Sequence, residues 1–168
     1  GVNFDLIYGL PAQSKETFNR TIELTKQLSP ERITLIRYAH IPKRVKHMKM
    51  IKEEDLPDTN DLPTMFVNST KKLIEDGYEW VGIDHFAKKT DQLAIAKRDG
   101  RVYRNFGGET PGYTKDIISL GPTSASGFGN YYFQNKDLTE YRKDINEGKF
   151  AVERGHVLSN DDVLRREV

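Results

Sequence analysis

The chain has 168 residues, 26 of them basic and 25 acidic, for a formal net charge of +1. That balance gives no long-range reason to expect nucleic acid or an anionic membrane as partner, and no apolar run reaches the length of a transmembrane helix. Cysteine is absent, which excludes a disulfide, a thiolate nucleophile and a cysteine-ligated cluster within the chain itself. The length suits one domain with a real core, and with no signal peptide at the start the expected location is the cytoplasm. The sequence opens at a strand without an initiator methionine and stops inside a helical pattern, so it reads as a piece of a longer protein.

From Val2 to Leu10 both alternating sets of residues are largely apolar, as in a parallel strand covered on both faces. Asp5 is the exception. Either an arginine or hydroxyl of a neighbouring strand compensates its carboxylate, or it serves a ligand. Ser14 is expected to cap a helix with Phe18, Ile22 and Leu28 on one side, closed by Ser29-Pro30. Arg32 to Tyr38 is the next strand, and the spacing is that of a right-handed parallel crossover. Between Pro42 and Pro63 a basic cluster (Lys43, Arg44, Lys46, His47, Lys49, Lys52) gives way to an acidic one; a solvated surface excursion outweighs a carboxylate-binding reading. A second helix is expected from Leu62 to Glu75, packing through Leu62, Met65, Phe66 and Leu73, with Gly77 as its stop.

The stretch from Gly82 to Thr110 organises the rest. Tyr78 to Ile83 reads as a strand that stops at Asp84-His85, at the carboxyl end where parallel sheets hold ligands, so Asp5, Ala39 and Asp84 are expected near one rim. Thr90 is the expected N-cap of the following helix and Gly100 its stop. In the next loop Arg101, Arg104 and Asn105 supply donors, Phe106 a flat apolar face, and Gly107-Gly108 a close backbone approach. Short β runs follow at Ile117–Leu120, Ser124–Phe128 and Tyr131–Phe133, the last two as a hairpin across Gly129-Asn130. Tyr131, Tyr132 and Phe133 read as core rather than a stacking platform. Leu138 to Glu147 is a helix ended by Gly148, Ser159 and Asp162 open a last one, and the chain is expected to leave the sheet after Asn135. Asp5, His40, Asp84 and His85 lack any compact metal spacing such as HExxH and read as hydrogen-bonded structural residues. The fold class is α/β.

Five segments carry a resemblance: FDLIYGLPAQ at 4–13, YAHIP at 38–42, DLP at 55–57, DGYEWVGIDHFAKKTDQLAIAKRDGRVYRNFGG at 76–108 and YYFQNKDLTEY at 131–141. They resemble the oxygen-independent coproporphyrinogen III oxidases, radical S-adenosylmethionine (SAM) enzymes of haem biosynthesis. Haem chaperones and haem-degrading relatives are similar in DLIYGLP but usually differ where this chain has IDHFA. The resemblance implies that residues 1–135 form the carboxyl-terminal part of a radical SAM (β/α) barrel with parallel strands, and 136–168 the start of a helical carboxyl-terminal region. It implies oxidative decarboxylation of two propionates of coproporphyrinogen III to vinyls, giving protoporphyrinogen IX, through a deoxyadenosyl radical generated at a 4Fe-4S cluster. The family's cluster ligands are the cysteines of an amino-terminal CxxxCxxC motif absent here, so the isolated chain is expected to be inactive.

Implied partners are coproporphyrinogen III and an electron donor to the cluster, with no nucleic acid or membrane, and with self-association through an open barrel edge. Matched position by position, Asp5 contacts SAM, Ile7 lines the same site, Ala39 meets the cofactor through its backbone and small side chain, and Phe106 gives an apolar contact. Gly107 stands where the family commonly has Gln, and Ala125 where it commonly has Ile; both departures bear on a second SAM site. No catalytic residue is implied. The alternatives are a haem-binding or haem-delivery relative without turnover and, more distantly, a generic sugar- or phosphate-binding α/β domain.

Overall fold

A computed structural model describes residues 1–167, which gather into two compact units, Gly1–Gly112 and the residues from Tyr113 onward. The first unit runs β1 (Asn3–Tyr8), α1 (Lys15–Leu28), β2 (Arg32–Arg37), α2 (Asp61–Glu75), β3 (Tyr78–Gly82), β4 (His85–Lys88), α3 (Gln92–Arg98), β5 (Tyr103–Asn105) and β6 (Gly108–Thr110). Its main sheet has the order β1-β2-β4-β3. The expected crossover is there, with β1 parallel to β2 from Asn3↔Arg32 to Tyr8↔Arg37. The third strand is not a further parallel addition, because β3 turns back at once into β4, which pairs antiparallel with both β3 and β2. The sheet is therefore mixed, and Asp84 lies in a hairpin turn rather than at the end of a crossover strand.

One face of this sheet packs against α1 and α2 through Tyr8, Phe18, Ile22, Ile33, Leu35, Met65, Leu73, Tyr78 and Phe86. Ser14 caps α1 as expected, its hydroxyl accepting from the Thr17 amide at 3.2 Å. Leu28 is 70% exposed instead of buried, since at 100° per residue it lies about 80° off the stripe of Phe18, Ile22 and Thr25. Leu62, Met65, Phe66 and Leu73 of α2 do pack on the core. The N-cap of α3 is Asp91 rather than Thr90, because the Asp91 carboxylate accepts the Leu93 amide at 2.7 Å. The basic-then-acidic excursion is two short 3-10 turns, Lys46–Met50 and Glu53–Asp55, with no buried residue.

The second unit contains β7 (Ala125–Phe128), β8 (Tyr131–Asn135), α4 (Leu138–Asn146), β9 (Val152–Val157) and α5 (Asn160–Glu167). The hairpin across Gly129-Asn130 forms as expected, with Phe128 opposite Tyr131. Residues after Asn135 do not leave the sheet, because β9 pairs with β8 from Tyr131↔Val157 to Asn135↔Val152. Nor are the β8 aromatics a closed core. Tyr131 is 58% exposed, and with Phe128 and Val157 it borders an open apolar face. Ile117 to Leu120 contributes a single bridge, Ile117 to Gly127, rather than a strand.

Candidate functional site

Leu6 and Tyr8 of β1 point into the core, so alternation sends Asp5 and Ile7 to the opposite face. Register then aligns Asp5 with Thr34 and Thr34 with His85, and sets Ile7 beside Ile36. Directly opposed residues share a face, so Asp5, Thr34 and His85 form one row across three strands. The far end of the face is covered, because Leu93 and Ala94 of α3 pack with Val102 on Val81 and Ala87. The near end is open, and β1 is not covered on both sides as the sequence suggested: Ile7 is 41% and Ile36 38% exposed. Asp5 is exposed there, with one carboxylate oxygen accepting from Asn3 Nδ2 at 2.7 Å. Among the described residues neither an arginine nor a hydroxyl bonds this acid, the neighbouring Thr34 hydroxyl lying 3.5 Å from Asn3 Oδ1 instead, and Asp5 stands exposed on the open face.

His85 is held on the row by its neighbour, Nδ1 lying 2.7 Å from Asp84 Oδ1. The β5–β6 hairpin approaches it from above, and Gly108 is placed so that a Cβ there would stand 3.0 Å from His85 Nε2. Gly108 has φ 123°, a conformation that glycine alone adopts readily. Gly107 does not share it. Phe106 and Gly107 form the turn of that hairpin, between Asn105 and Gly108, with Phe106 48% exposed. Two of the donors expected in this loop are occupied, Arg104 by Glu109 at 2.7 Å and Arg101 by Asp99 at 2.7 Å, while the Asn105 side-chain oxygen accepts the Gly107 amide at 2.8 Å.

Past the ends of β1 and β2 lies a cavity of about 610 Å³ whose lining includes Gly9, Arg37, Ala39 and His40. Ala39 is exposed on its wall. The preceding loop is fixed by Gln13, which sequence reasoning does not single out. Its Oε1 accepts the amides of Gly9 at 2.6 Å and Leu10 at 3.3 Å, and its Nε2 donates to the Ile7 carbonyl at 3.2 Å. A side chain able both to donate and to accept, four residues past a glycine that ends a strand, was the available signal. Of the expected site residues, then, Asp5 and Ile7 share the open face, Ala39 lines the adjoining cavity, and Phe106 and Gly107 sit on the hairpin that covers His85. Ala125 starts β7 in the second unit and is exposed there.

No family model matches the chain. Among curated proteins it is 38% identical over 168 residues to the oxygen-independent coproporphyrinogen III oxidase of Pseudomonas aeruginosa, a match covering 99% of this chain and 36% of that protein. It is 42% identical to the protein of the same name from Helicobacter pylori strain 26695, over 99% of this chain and 37% of the relative. A solved structure, described as coproporphyrinogen III oxidase from Escherichia coli and as a radical SAM enzyme, superposes with a TM-score of 0.87 at 37% identity, covering 98% of this chain and 38% of that one. The chain is thus homologous, over almost all of its length, to a segment of the oxygen-independent coproporphyrinogen III oxidases, and it spans little more than a third of the length of those relatives.

Proposed function

We propose that this chain is part of an oxygen-independent coproporphyrinogen III oxidase, a radical SAM oxidoreductase that converts two propionates of coproporphyrinogen III to vinyls in haem biosynthesis. In this reading the main sheet belongs to a partial (β/α) barrel, residues 1–135 lie within its catalytic part, and 136–168 begin the region that follows. The observation that carries it is the open face of β1 and β2, where a carboxylate and apolar side chains stand together in a segment matching such oxidases from end to end.

The residues fit the nucleoside part of SAM. Asp5 offers acceptors to ribose hydroxyls, Ile7 and Ile36 offer apolar surface to a base, and Ala39 leaves room beside them. They do not fit an iron–sulfur cluster, since the chain has no cysteine and the described residues hold no group of three or more His, Asp or Glu side chains able to take a metal. Bound SAM with a cluster would supply a carbon-centred radical that removes hydrogen from the substrate. This segment would hold and orient the nucleoside.

Full-length protein reconstituted anaerobically with iron, sulfide, SAM and a reductant should convert coproporphyrinogen III to protoporphyrinogen IX, read by chromatography after oxidation to the porphyrins. Stoichiometric haem binding without conversion would instead identify a carrier and defeat the proposal.

A further inference from the structure

A decarboxylase acting on propionates must hold carboxylates as well as its cofactor, and the cavity past β1 and β2 has the chemistry for that. Arg37 ends β2 and is exposed on the cavity wall, and its guanidinium has no hydrogen bond or ion pair among the described residues. Elsewhere in the first unit Arg32, Arg98, Arg101 and Arg104 are paired with carboxylates, and Arg20 and Arg44, which have no ion pair among the described residues, lie outside the cavity lining. His40, in the same lining, has Nδ1 3.4 Å from the Tyr38 hydroxyl. A hydroxyl donating there leaves the ring proton on Nε2, a second donor. The remaining lining is largely apolar, with Ile41, Leu56 and Leu62, as an alkyl-substituted pyrrole requires. Glu53 is the one acid in the lining; it forms no ion pair with Arg37 or His40, leaving the guanidinium available and setting a limit on how many anions the cavity tolerates.

We propose that this cavity is a carboxylate subsite, in which Arg37 takes a propionate of the porphyrinogen in fork geometry while His40 donates a second hydrogen bond and Leu56 and Leu62 cover the ring edge. The assignment rests on the function proposed above. A guanidinium matches the planar carboxylate bidentately, and a volume of this size accommodates one pyrrole arm with its propionate. Ala39 lines the same cavity, so a carboxylate held by Arg37 would lie beside the residue assigned to the cofactor.

The test is a fluorescence titration of the 168-residue chain with coproporphyrin III, the stable oxidised form, and with its tetramethyl ester. The free acid should bind, the ester should bind at least tenfold more weakly, and Arg37→Gln should weaken the acid at least tenfold while leaving the ester unchanged. Arg37→Lys should restore part of the loss, and His40→Gln should weaken the acid to a smaller degree. Because Arg37 is exposed, the circular dichroism of its variants should match the parent's. Equal affinity of wild-type and Arg37→Gln chains for the acid, equal affinity of acid and ester, or no binding at all would each overturn the subsite. The oxidase reading fails separately: Arg37-dependent acid binding with no conversion of coproporphyrinogen by the full-length protein would leave the subsite standing and remove that reaction.

Discussion

Among the described residues Asp5 has only Asn3 as a side-chain partner, so its replacement disturbs little of the fold. In the full-length protein Asp5→Asn should weaken SAM binding by about 1.5–3 kcal/mol, the range for hydrogen bonds to a charged group, with an unchanged melting temperature. Isothermal titration beside a thermal melt separates the roles, since a structural acid would lower the melt and leave affinity alone. Gly108 makes the opposite kind of claim. Its φ of 123° and the approach to His85 together require glycine, whereas at Gly77, with φ 92°, an added Cβ would meet nothing within 4 Å. Gly77→Ala therefore reports the backbone penalty alone. Gly108→Val should cost about 1–3 kcal/mol more, because His85 is tethered to Asp84 and must break that bond to move. Equal losses in the two variants would show that the hairpin does not bear on His85.

The β3–β4 hairpin shows where the sequence stops being readable. Where a feature has a local cause it is legible, as with Ser14 as cap, Met65 and Leu73 as stripe and Gly129-Asn130 as turn, although the cap of α3 falls one residue later than expected, at Asp91, and Leu28 lies off its stripe. The turn at Ile83-Asp84 has no such signal. Ile83 sits at φ 40°, a conformation a β-branched residue rarely takes, so nothing in GIDH announces a reversal or the strand β4 beyond it. Tertiary contacts hold the turn: Trp80 stacks on Phe86 and donates its indole N–H to the Ile83 carbonyl at 3.0 Å. With Ile83 62% exposed, Ile83→Asn should relieve the strain and raise stability by about 1 kcal/mol in chemical denaturation. A loss of stability would mean that the exposed isoleucine is held by contacts outside the described residues. The open face at Asp5 is hidden for a related reason, since alternating apolar residues on both sides of β1 suggest two covered faces whether or not the second cover lies in the same chain.

A different element carries a pH dependence. At the start of α5 the Ser159 hydroxyl and amide, helped by His156, hold the Asp162 carboxyl down at about 2 from its ordinary 3.8. A depressed acid stabilises the fold above its unfolded value and loses that contribution as pH falls, so the cap should weaken between about pH 4 and 2. The Ser159 amide shift in NMR should follow that titration, and Ser159→Ala should return the Asp162 midpoint toward 3.8.

For the molecule as a whole, β1 is an edge strand with an exposed apolar residue, Val2, before it and Ile7 and Ile36 beside it on the open face. An unpaired edge next to uncovered apolar surface favours pairing with another copy. The isolated chain should therefore self-associate with rising concentration in sedimentation velocity, and Ile7→Lys should shift it toward the monomer. It should also take up no cluster and release no deoxyadenosine from SAM under reducing conditions. The placement of β4 between β2 and β3 has a further consequence, for the order of folding. Thr34 and His85 are about fifty residues apart along the chain, whereas the β3–β4 turn closes within a few residues, so by loop-closure entropy the hairpin is expected to form before β4 docks on β2. Easing the turn should then accelerate refolding, so Ile83→Asn should act mainly on the folding limb of a stopped-flow chevron, while Phe18→Leu in α1 should act mainly on the unfolding limb.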